Sequence, residues 1–222
     1  MINKILYIDI ETSKQGKIKD VGAIYNGQEL HESKLIKLEN WINQAHKLDL
    51  LTIANANYRR TMHYNLPIAP SPNLPNAQSV QLYPSLCFFE ATPVSIGRGT
   101  DFPFQVIGHN SVALGEFSFT PESRQGAALN PKLQDQALLG TDLRLNALEG
   151  LDLQLFIKVY KQFSNTNINF FERANFMDKL AGTNQLRLAI EQGKTAQQIQ
   201  QSWLPGINAF KEQRKPYLLY DE

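Results

Sequence analysis

Two carboxylates stand close together near the start of the chain, where they could bind a divalent metal ion. Asp9 and Glu11 flank Ile10 at the end of a short apolar run, Ile5 to Ile10, and such a β-branched run favours a strand. Carboxylates at a strand edge can bridge a hard cation and support metal-dependent phosphoryl chemistry. The alternative interpretation, which we prefer, is that both are solvated residues at the end of a strand.

The first 46 residues resemble the start of a DEDD-type 3′-5′ exonuclease, through Asp9-Ile10-Glu11 and the later Asp20-Val21-Gly22-Ala23. The resemblance implies further acidic ligands, one of them an aspartate shortly after a His-Asn pair. His109-Asn110 offers such a pair, but the next acidic residue is Glu116 and no histidine follows His109. A site that lacks half its carboxylates would not hold two ions. We therefore predict a truncated exonuclease-like segment, with nuclease activity as the least favoured function.

A second chemical candidate is the pair Glu90 and Arg98. Glu90 ends an apolar segment and precedes a glycine-rich one, so its carboxyl group can be partly shielded from water, as a glycosidic general acid requires. Arg98 lies between Gly97 and Gly99, which let the backbone approach a ligand while the guanidinium binds a carboxylate. The alternative is an internal salt bridge that only organises the loop.

Cys87, the single cysteine, stands in the apolar run Leu86-Cys87-Phe88-Phe89. Free cysteine is often buried, so we predict a buried thiol rather than a nucleophile. One cysteine excludes a disulfide framework and a cysteine-rich zinc site. We expect no cofactor.

The composition excludes several classes of protein. The 22 basic and 21 acidic residues leave a formal charge of +1, which lacks the basic excess that nonspecific nucleic-acid binding needs. Asp9 and Glu11 interrupt the N-terminal apolar run before it reaches the length of a signal peptide. No apolar run approaches the roughly 20 residues of a membrane span. We expect no nucleic-acid partner, no membrane span and, as written, no export signal.

The N-terminal part of the chain predicts a β-β-α start. Strands are expected at 5–10 and 20–25, and Asn26-Gly27 is a strong hairpin-turn dipeptide. Ser33 can cap a helix over roughly 34–45. A strand at 48–54 then precedes the proline-rich stretch 66–75, which cannot be a helix because each residue before a proline avoids the α region.

The remainder predicts central strands followed by helices. The strands are expected at 104–107, 117–120 and 137–145, around an irregular segment at 97–100. One helix is expected over 152–163, and a second follows Thr183 and runs through Gln192, with Gly193 able to terminate it. A third follows a capping box of Thr195 and Gln198. Ile199, Trp203, Ile207 and Phe210 form the apolar face of the last helix, in which Pro205 predicts a kink or a break. The fold class is mixed α+β, with a helical C-terminal third.

From residue 47 onward the chain carries a series of short motifs in a particular order. They are Pro70-Ser71-Pro72-Asn73-Leu74-Pro75, Leu82-Tyr83-Pro84, Phe89-Glu90-Ala91-Thr92, Gly97-Arg98-Gly99-Thr100, Pro103-Phe104, Asp178-Lys179-Leu180-Ala181-Gly182-Thr183 and Arg214-Lys215-Pro216-Tyr217-Leu218-Leu219-Tyr220. The series resembles the C-terminal domain of the NamZ-type exo-β-N-acetylmuramidases, which remove N-acetylmuramic acid from non-reducing ends of peptidoglycan fragments. The resemblance covers residues 47–222.

The resemblance implies a sugar site and a muramic acid-containing glycan as partner. Glu90 is the candidate catalytic residue, and Arg98, Asn73, Tyr83 and Thr100 are the candidate substrate-binding residues. The lactyl carboxylate of muramic acid suits Arg98, while Asn73 and Tyr83 could hydrogen-bond to or stack on sugar. The competing interpretations are turn or core packing for Tyr83 and a rigid connector for 70–75.

The resemblance also implies an N-terminal Rossmann-like domain before the matched part, with the active site in the cleft between the two domains. Residues 1–46 do not replace that domain, so we expect a truncated or chimeric chain. Glycosidases of the usual kind need two carboxyl groups, and a chain with one wall of the cleft is expected to bind sugar more readily than it cleaves it. The hypotheses are thus a peptidoglycan glycosidase, a noncatalytic or vestigial carbohydrate-binding module, and an exonuclease. The family is usually exported, and the localisation of this chain stays open.

Overall fold

The computed structural model describes residues 7–12, 18–25, 28–31, 56–59, 61–62, 64, 66–145, 150–215, 218 and 220. The chain divides into two units, Met1–Asn57 and Tyr58–Glu222, and each is described here by itself. The predicted family boundary between residues 46 and 47 stays a prediction. The helix predicted over 34–45 and the strand predicted over 48–54 lie outside the described residues.

The first unit contains a three-stranded antiparallel sheet in the order β1-β2-β3. Its strands are β1 (Tyr7–Thr12), β2 (Ile18–Tyr25) and β3 (Gln28–His31). The pairing of the two predicted strands is confirmed, with Tyr7 opposite Ile24. Tyr25 pairs with Gln28, which is the register of a two-residue hairpin turn and fits the Asn26-Gly27 signal. The third strand was not predicted.

In the second unit, the proline-rich stretch 66–75 contains no helix, as predicted. It is followed by a helix that was not predicted, α1 (Ala77–Leu86). Asn76 and Ser79 form its capping box, with the Ser79 amide donating to Asn76 Oδ1 at 2.9 Å. The buried face of α1 includes Ser79 and Ser85, whose polarity hides the helical period in the sequence. A 3-10 helix, Cys87–Ala91, follows directly and carries Glu90.

A second three-stranded sheet has the order β4-β6-β5, and all its pairs are antiparallel. The strands are β4 (Val106–His109), β5 (Phe117–Phe119) and β6 (Leu138–Asp142), close to the predicted positions. Gly140 is required in the central strand, since a Cβ there would lie 1.8 Å from the carbonyl oxygen of Ile107. Ser95 and Gly108 exchange two main-chain hydrogen bonds of 2.9 Å, so the loop after Glu90 is fixed to the edge of this sheet.

The C-terminal third is helical, as predicted. Its helices are α2 (Leu153–Phe163), α3 (Ala174–Ala181), α4 (Gln185–Glu191) and α5 (Ala196–Arg214). Asp152 caps α2 by accepting from the Gln154 amide at 2.7 Å. The predicted capping box of Thr195 and Gln198 is present, and Gly193 follows α4 with a φ of +76°.

A kink or a break was predicted at Pro205: the break is absent, because α5 continues through this residue, and the kink stays a prediction. A proline removes one main-chain N–H from the ladder, and the remaining turns keep theirs. The predicted apolar face is buried only at its start. Ile199 lies in the core, whereas Ile207 and Phe210 are 42% and 59% exposed.

An aromatic cluster joins the 3-10 helix to α2. The ring centroids of Phe89 and Phe156 are 4.8 Å apart, and Phe170 packs on Phe156 at 5.3 Å. Phe89 and Phe156 are fully buried, so the residue that precedes Glu90 is anchored in the core. In the described part of the chain, no helix is long and apolar enough to cross a bilayer.

Candidate functional site

Glu90 and Arg98 form an ion pair. The Arg98 Nη2 atom lies 2.9 Å from Glu90 Oε2, and the two side chains are 37% and 23% exposed. Glu90 lies on the 3-10 helix, and Arg98 lies in the turn that follows. The internal salt bridge of the alternative interpretation is thus present. It lies on the wall of a cleft, where both groups can also contact a ligand.

The two glycines around Arg98 serve the protein's own packing. Gly97 and Gly99 have φ angles of +76° and +85°, a region that side chains avoid. A Cβ on Gly99 would lie 2.4 Å from the Glu122 carbonyl oxygen, and one on Gly97 would lie 2.7 Å from a methyl carbon of Val106. The two glycines therefore allow close packing against neighbouring protein atoms, which fixes the position of Arg98, and the expected approach of a ligand to this backbone stays a prediction.

Thr100 closes this turn. Its Oγ1 donates to the Gly97 carbonyl oxygen at 2.6 Å and accepts from the Phe102 amide at 3.2 Å. The side chain is buried, so Thr100 contributes to the shape of the turn, and its predicted contact with substrate stays a prediction.

Tyr83 lies close to the ion pair. Its ring packs on Phe104 with centroids 5.1 Å apart, and the Arg98 guanidinium lies 5.2 Å from the centroid of the same Phe104 ring. Burial, and then the charge of Glu90, raise the pKa of the Tyr83 phenol. Tyr83 is 38% exposed, so it packs on the core and also presents a protonated phenol to solvent.

Asn73 holds two loops together. Its side-chain Nδ2 donates to the Ala127 carbonyl oxygen at 2.9 Å, and its main-chain N–H donates to Ser71 Oγ. The residue is buried, and its Oδ1 atom has no partner among the described residues. Ala128, next to the acceptor residue, lines the cleft, so Asn73 helps to fix the loop that contributes this residue to the cleft.

The cleft has a volume of about 470 Å³ and is lined by four charged residues together with apolar and small ones. The charged residues are Glu90, Arg98, Lys132 and Arg173. Ligand sites typically span about 300–1,000 Å³. Three cations against one carboxylate give the described lining a formal charge of +2, which suits an anionic ligand.

Lys132 and Arg173 are the charged residues of this cleft that sequence reasoning missed. Lys132 is the more buried in its contacts. Its Nζ donates to the carbonyl oxygens of Phe89, at 3.3 Å, and of Thr92. Burial lowers the pKa of the Lys132 ammonium to about 8. Arg173 Nη1 lies 3.5 Å from the Glu90 carbonyl oxygen. Cations thus contact the main chain on both sides of Glu90. No local sequence pattern predicts contacts between residues so far apart in the chain.

Cys87 is partly buried, not fully buried as predicted. Burial, and then the charge of Glu90, raise the pKa of its thiol to about 11. The reactive form of cysteine is the thiolate, so at neutral pH this thiol is not an activated nucleophile. That agrees with the structural role favoured by the sequence.

The exonuclease interpretation gains no support from the described residues. His109 is buried, and its Nδ1 accepts from the amides of Ser111 and Val112 at 3.1 and 3.2 Å. Burial lowers the pKa of His109, as expected of a structural histidine. Asp9 and Glu11 lie on β1 opposite Gly22 and Asp20. Across the described ranges, no group of three or more His, Cys, Asp or Glu residues could hold a metal ion.

Comparisons with known proteins agree with one another. The family model "Exo-beta-N-acetylmuramidase NamZ, C-terminal" matches residues 81–220. Peptidoglycan beta-N-acetylmuramidase NamZ of Bacillus subtilis strain 168 is 30% identical over 190 residues, which cover 78% of this chain and 46% of that protein. The crystal structure of a DUF1343 family protein from Bacteroides fragilis is 42% identical with a TM-score of 0.68, over 75% of this chain and 48% of that one.

The chain spans about half the length of the relatives it matches. The family match includes Glu90, Arg98, Lys132 and Arg173, which are the four charged residues of the cleft. The mixed α+β fold predicted from the sequence agrees with the solved structure. The chain therefore belongs to the NamZ family of exo-β-N-acetylmuramidases, whose C-terminal domain it carries.

Proposed function

We propose that the cleft binds the muramic acid-containing, non-reducing end of a peptidoglycan fragment, and that Glu90 is one of the two carboxyl groups used to release the terminal sugar. The observation that carries this proposal is the Glu90–Arg98 pair on the wall of a cationic cleft. Similarity to a named peptidoglycan β-N-acetylmuramidase supplies the substrate class.

The chemistry assigned to Glu90 is proton transfer. As the carboxylate that pairs with Arg98, Glu90 takes the proton of the water whose oxygen joins the anomeric carbon, in place of the general-acid role expected from the sequence. A second carboxyl group, in its protonated form, gives a proton to the glycosidic oxygen as the bond from that oxygen to the anomeric carbon breaks. Arg98 holds Glu90 through Oε2. The Arg98 Nε atom is buried and has no hydrogen-bond partner among the described residues. Most buried donors are paired, so this N–H is an unused donor beside Glu90.

A noncatalytic sugar-binding role is the second candidate. It is favoured by the described lining of the cleft, in which Glu90 is the single carboxylate. Hydrolysis by two carboxyl groups would then need a group from elsewhere.

The test combines turnover and binding by the 222-residue chain. Release of N-acetylmuramic acid from a disaccharide of N-acetylmuramic acid and N-acetylglucosamine is measured together with affinity by calorimetry. Glu90→Gln is the test variant, and Glu116→Gln is the control, since Glu116 is an exposed residue outside the cleft.

Each outcome has a distinct meaning. Turnover that Glu90→Gln abolishes and Glu116→Gln preserves supports catalysis by Glu90. Binding without turnover, in the wild type and both variants, supports the noncatalytic role. Absence of binding by the folded wild-type chain overturns the proposed function.

A further inference from the structure

The cations of the cleft differ in how they are partnered. Arg98 is engaged by the Glu90 carboxylate at 2.9 Å. Within the described residues, Lys132 and Arg173 make no ion pair, and their hydrogen bonds go to main-chain carbonyl oxygens. A carboxylate from a ligand would therefore meet Arg98 in competition with Glu90, but would meet Lys132 or Arg173 with no carboxylate already bonded to the cation.

Lys132 also retains a hydrogen-bond donor. An ammonium group carries three N–H donors, and the carbonyl oxygens of Phe89 and Thr92 engage two of them. These two contacts fix the position of the nitrogen, and the residue lines the cleft. A partly buried cation whose hydrogen bonds go to neutral carbonyl oxygens is the kind of group that a ligand anion stabilises, because a direct ion pair offsets the cost of its desolvation.

The geometry points to Lys132 as the residue that binds the lactyl carboxylate of muramic acid and so distinguishes it from N-acetylglucosamine. This inference rests on the proposed function and replaces Arg98 in the carboxylate-binding role expected from the sequence. Arg98 remains the partner of Glu90. A direct hydrogen bond from an ammonium group to a carboxylate contributes more than a neutral one, and the lactyl group is the substituent that separates the two sugars.

The surroundings of Lys132 give the interaction a pH signature. The charged and titratable groups that act on it are Glu172, Arg173, Glu90, Arg98 and His109. With a pKa of about 8, the free ammonium is mostly protonated at pH 7 and mostly neutral at pH 8.5. A bound carboxylate raises that pKa. Binding at pH 8.5 therefore removes at most about three quarters of a proton per site from the buffer, whereas binding at pH 7 removes only a small fraction of a proton.

The experiment compares two disaccharides that differ by the lactyl group: N-acetylmuramic acid linked to N-acetylglucosamine, and di-N-acetylchitobiose. Calorimetry in buffers of different ionisation enthalpy gives both the affinity and the proton uptake at pH 7 and 8.5. We expect the wild type to prefer the muramic acid compound and to take up protons with it alone. Lys132→Met should lower that affinity by at least about tenfold and leave the affinity for di-N-acetylchitobiose unchanged.

Lys132→Arg is the matched variant, because it keeps a cation with several donors and does not titrate in this range. It should retain the preference for the muramic acid compound and lose the proton uptake. Equal affinities of Lys132→Met and wild type for this compound would overturn the inference while the proposed function stands. A second compound carries a peptide amide-linked to the lactyl carboxyl group, so that this group has no charge. If Lys132→Met lowers the affinity for this compound equally, Lys132 recognises a carboxylate of the peptide, and the inference is likewise overturned.

A probe without sugar separates the two proposals. D-Lactate is titrated into the wild-type chain while the ε-carbon NMR signal of Lys132 is followed, with Lys132→Arg identifying the signal. A saturable shift supports the carboxylate site even if neither disaccharide binds, in which case the proposed function alone fails. No shift of the signal with D-lactate, in a chain that binds neither disaccharide, overturns both.

Discussion

The Lys132 ammonium donates a hydrogen bond of 3.3 Å to the carbonyl oxygen of Phe89, the residue before Glu90. Phe89 is fully buried against Phe156, so one side of this contact is fixed in the core. The other side is a cation whose pKa burial lowers to about 8. The contact therefore helps to position Glu90. Burying the charged ammonium costs folding free energy, and this cost depends on pH because the ammonium titrates near pH 8.

The first prediction is that the free energy of unfolding rises between pH 7 and pH 9. The pKa of Lys132 falls from 10.5 to about 8 on folding, so the unfolded chain binds more protons between these values, and raising the pH favours the folded state. We expect a rise of roughly 1 kcal/mol over this range from this group.

Urea unfolding at several pH values measures this effect, as the difference between wild type and Lys132→Arg. The raised pKa of Cys87 lowers the free energy of unfolding as the pH approaches and passes 9.0, but this effect is common to both proteins and cancels in the difference. Parallel stability curves for the two proteins would contradict the lowered pKa of Lys132.

The second prediction concerns the turn that holds Arg98. Gly99→Ala should destabilise the chain by roughly 2 kcal/mol or more, since the new Cβ would lie 2.4 Å from the Glu122 carbonyl oxygen at a φ of +85°. Gly126→Ala is the matched control, with a φ of +79° and no atom within 4 Å of the added Cβ. It should cost only about 1 kcal/mol, from the backbone conformation alone. Equal losses in urea unfolding would show that the close packing around Gly99 contributes nothing.

Elements with local end signals were predictable from the sequence. The Thr195 and Gln198 capping box and Gly193 lie at helix ends as expected, because caps act through residues only a few positions apart. Helix α1 was missed because its buried face includes Ser79 and Ser85. Both serines satisfy their hydroxyl groups through hydrogen bonds, Ser85 to the distant Gly150 carbonyl oxygen at 2.7 Å.

The candidate site was predictable only in part. Glu90 and Arg98 are eight positions apart, and their pairing was anticipated as one of two interpretations. Lys132 and Arg173 reach the same main chain from 43 and 83 positions away. Contacts of that kind depend on how the loop at 128–132 and the start of α3 fold back onto the 3-10 helix. No spacing rule applies to them.

The third prediction tests the cap that orients α2, the helix on which the 3-10 helix packs. Asp152→Ala should destabilise the chain by about 1 kcal/mol, because the amides of Gln154 and Leu155 lose their acceptor. Asp152→Asn keeps a side-chain oxygen in the same place and should retain most of the stability. The measurement is urea unfolding of both variants. A larger loss for Asn than for Ala would contradict the assigned role.

The fourth prediction is that Cys87 reacts slowly with thiol reagents. With a pKa of about 11 in place of 9.0, its thiolate is about a hundredfold rarer at pH 8 than that of an unperturbed cysteine. The chain has one cysteine, so the rate of reaction with a chromogenic disulfide reports this residue alone, and the urea-unfolded chain supplies the reference rate. Glu90→Gln should accelerate the reaction severalfold, because the charge of Glu90 is the second cause of the shift. Glu116→Gln, which removes a charge outside the cleft, should leave the rate unchanged. A folded-state rate equal to the unfolded one would contradict the raised pKa, and equal rates for Glu90→Gln and wild type would show that burial alone accounts for it.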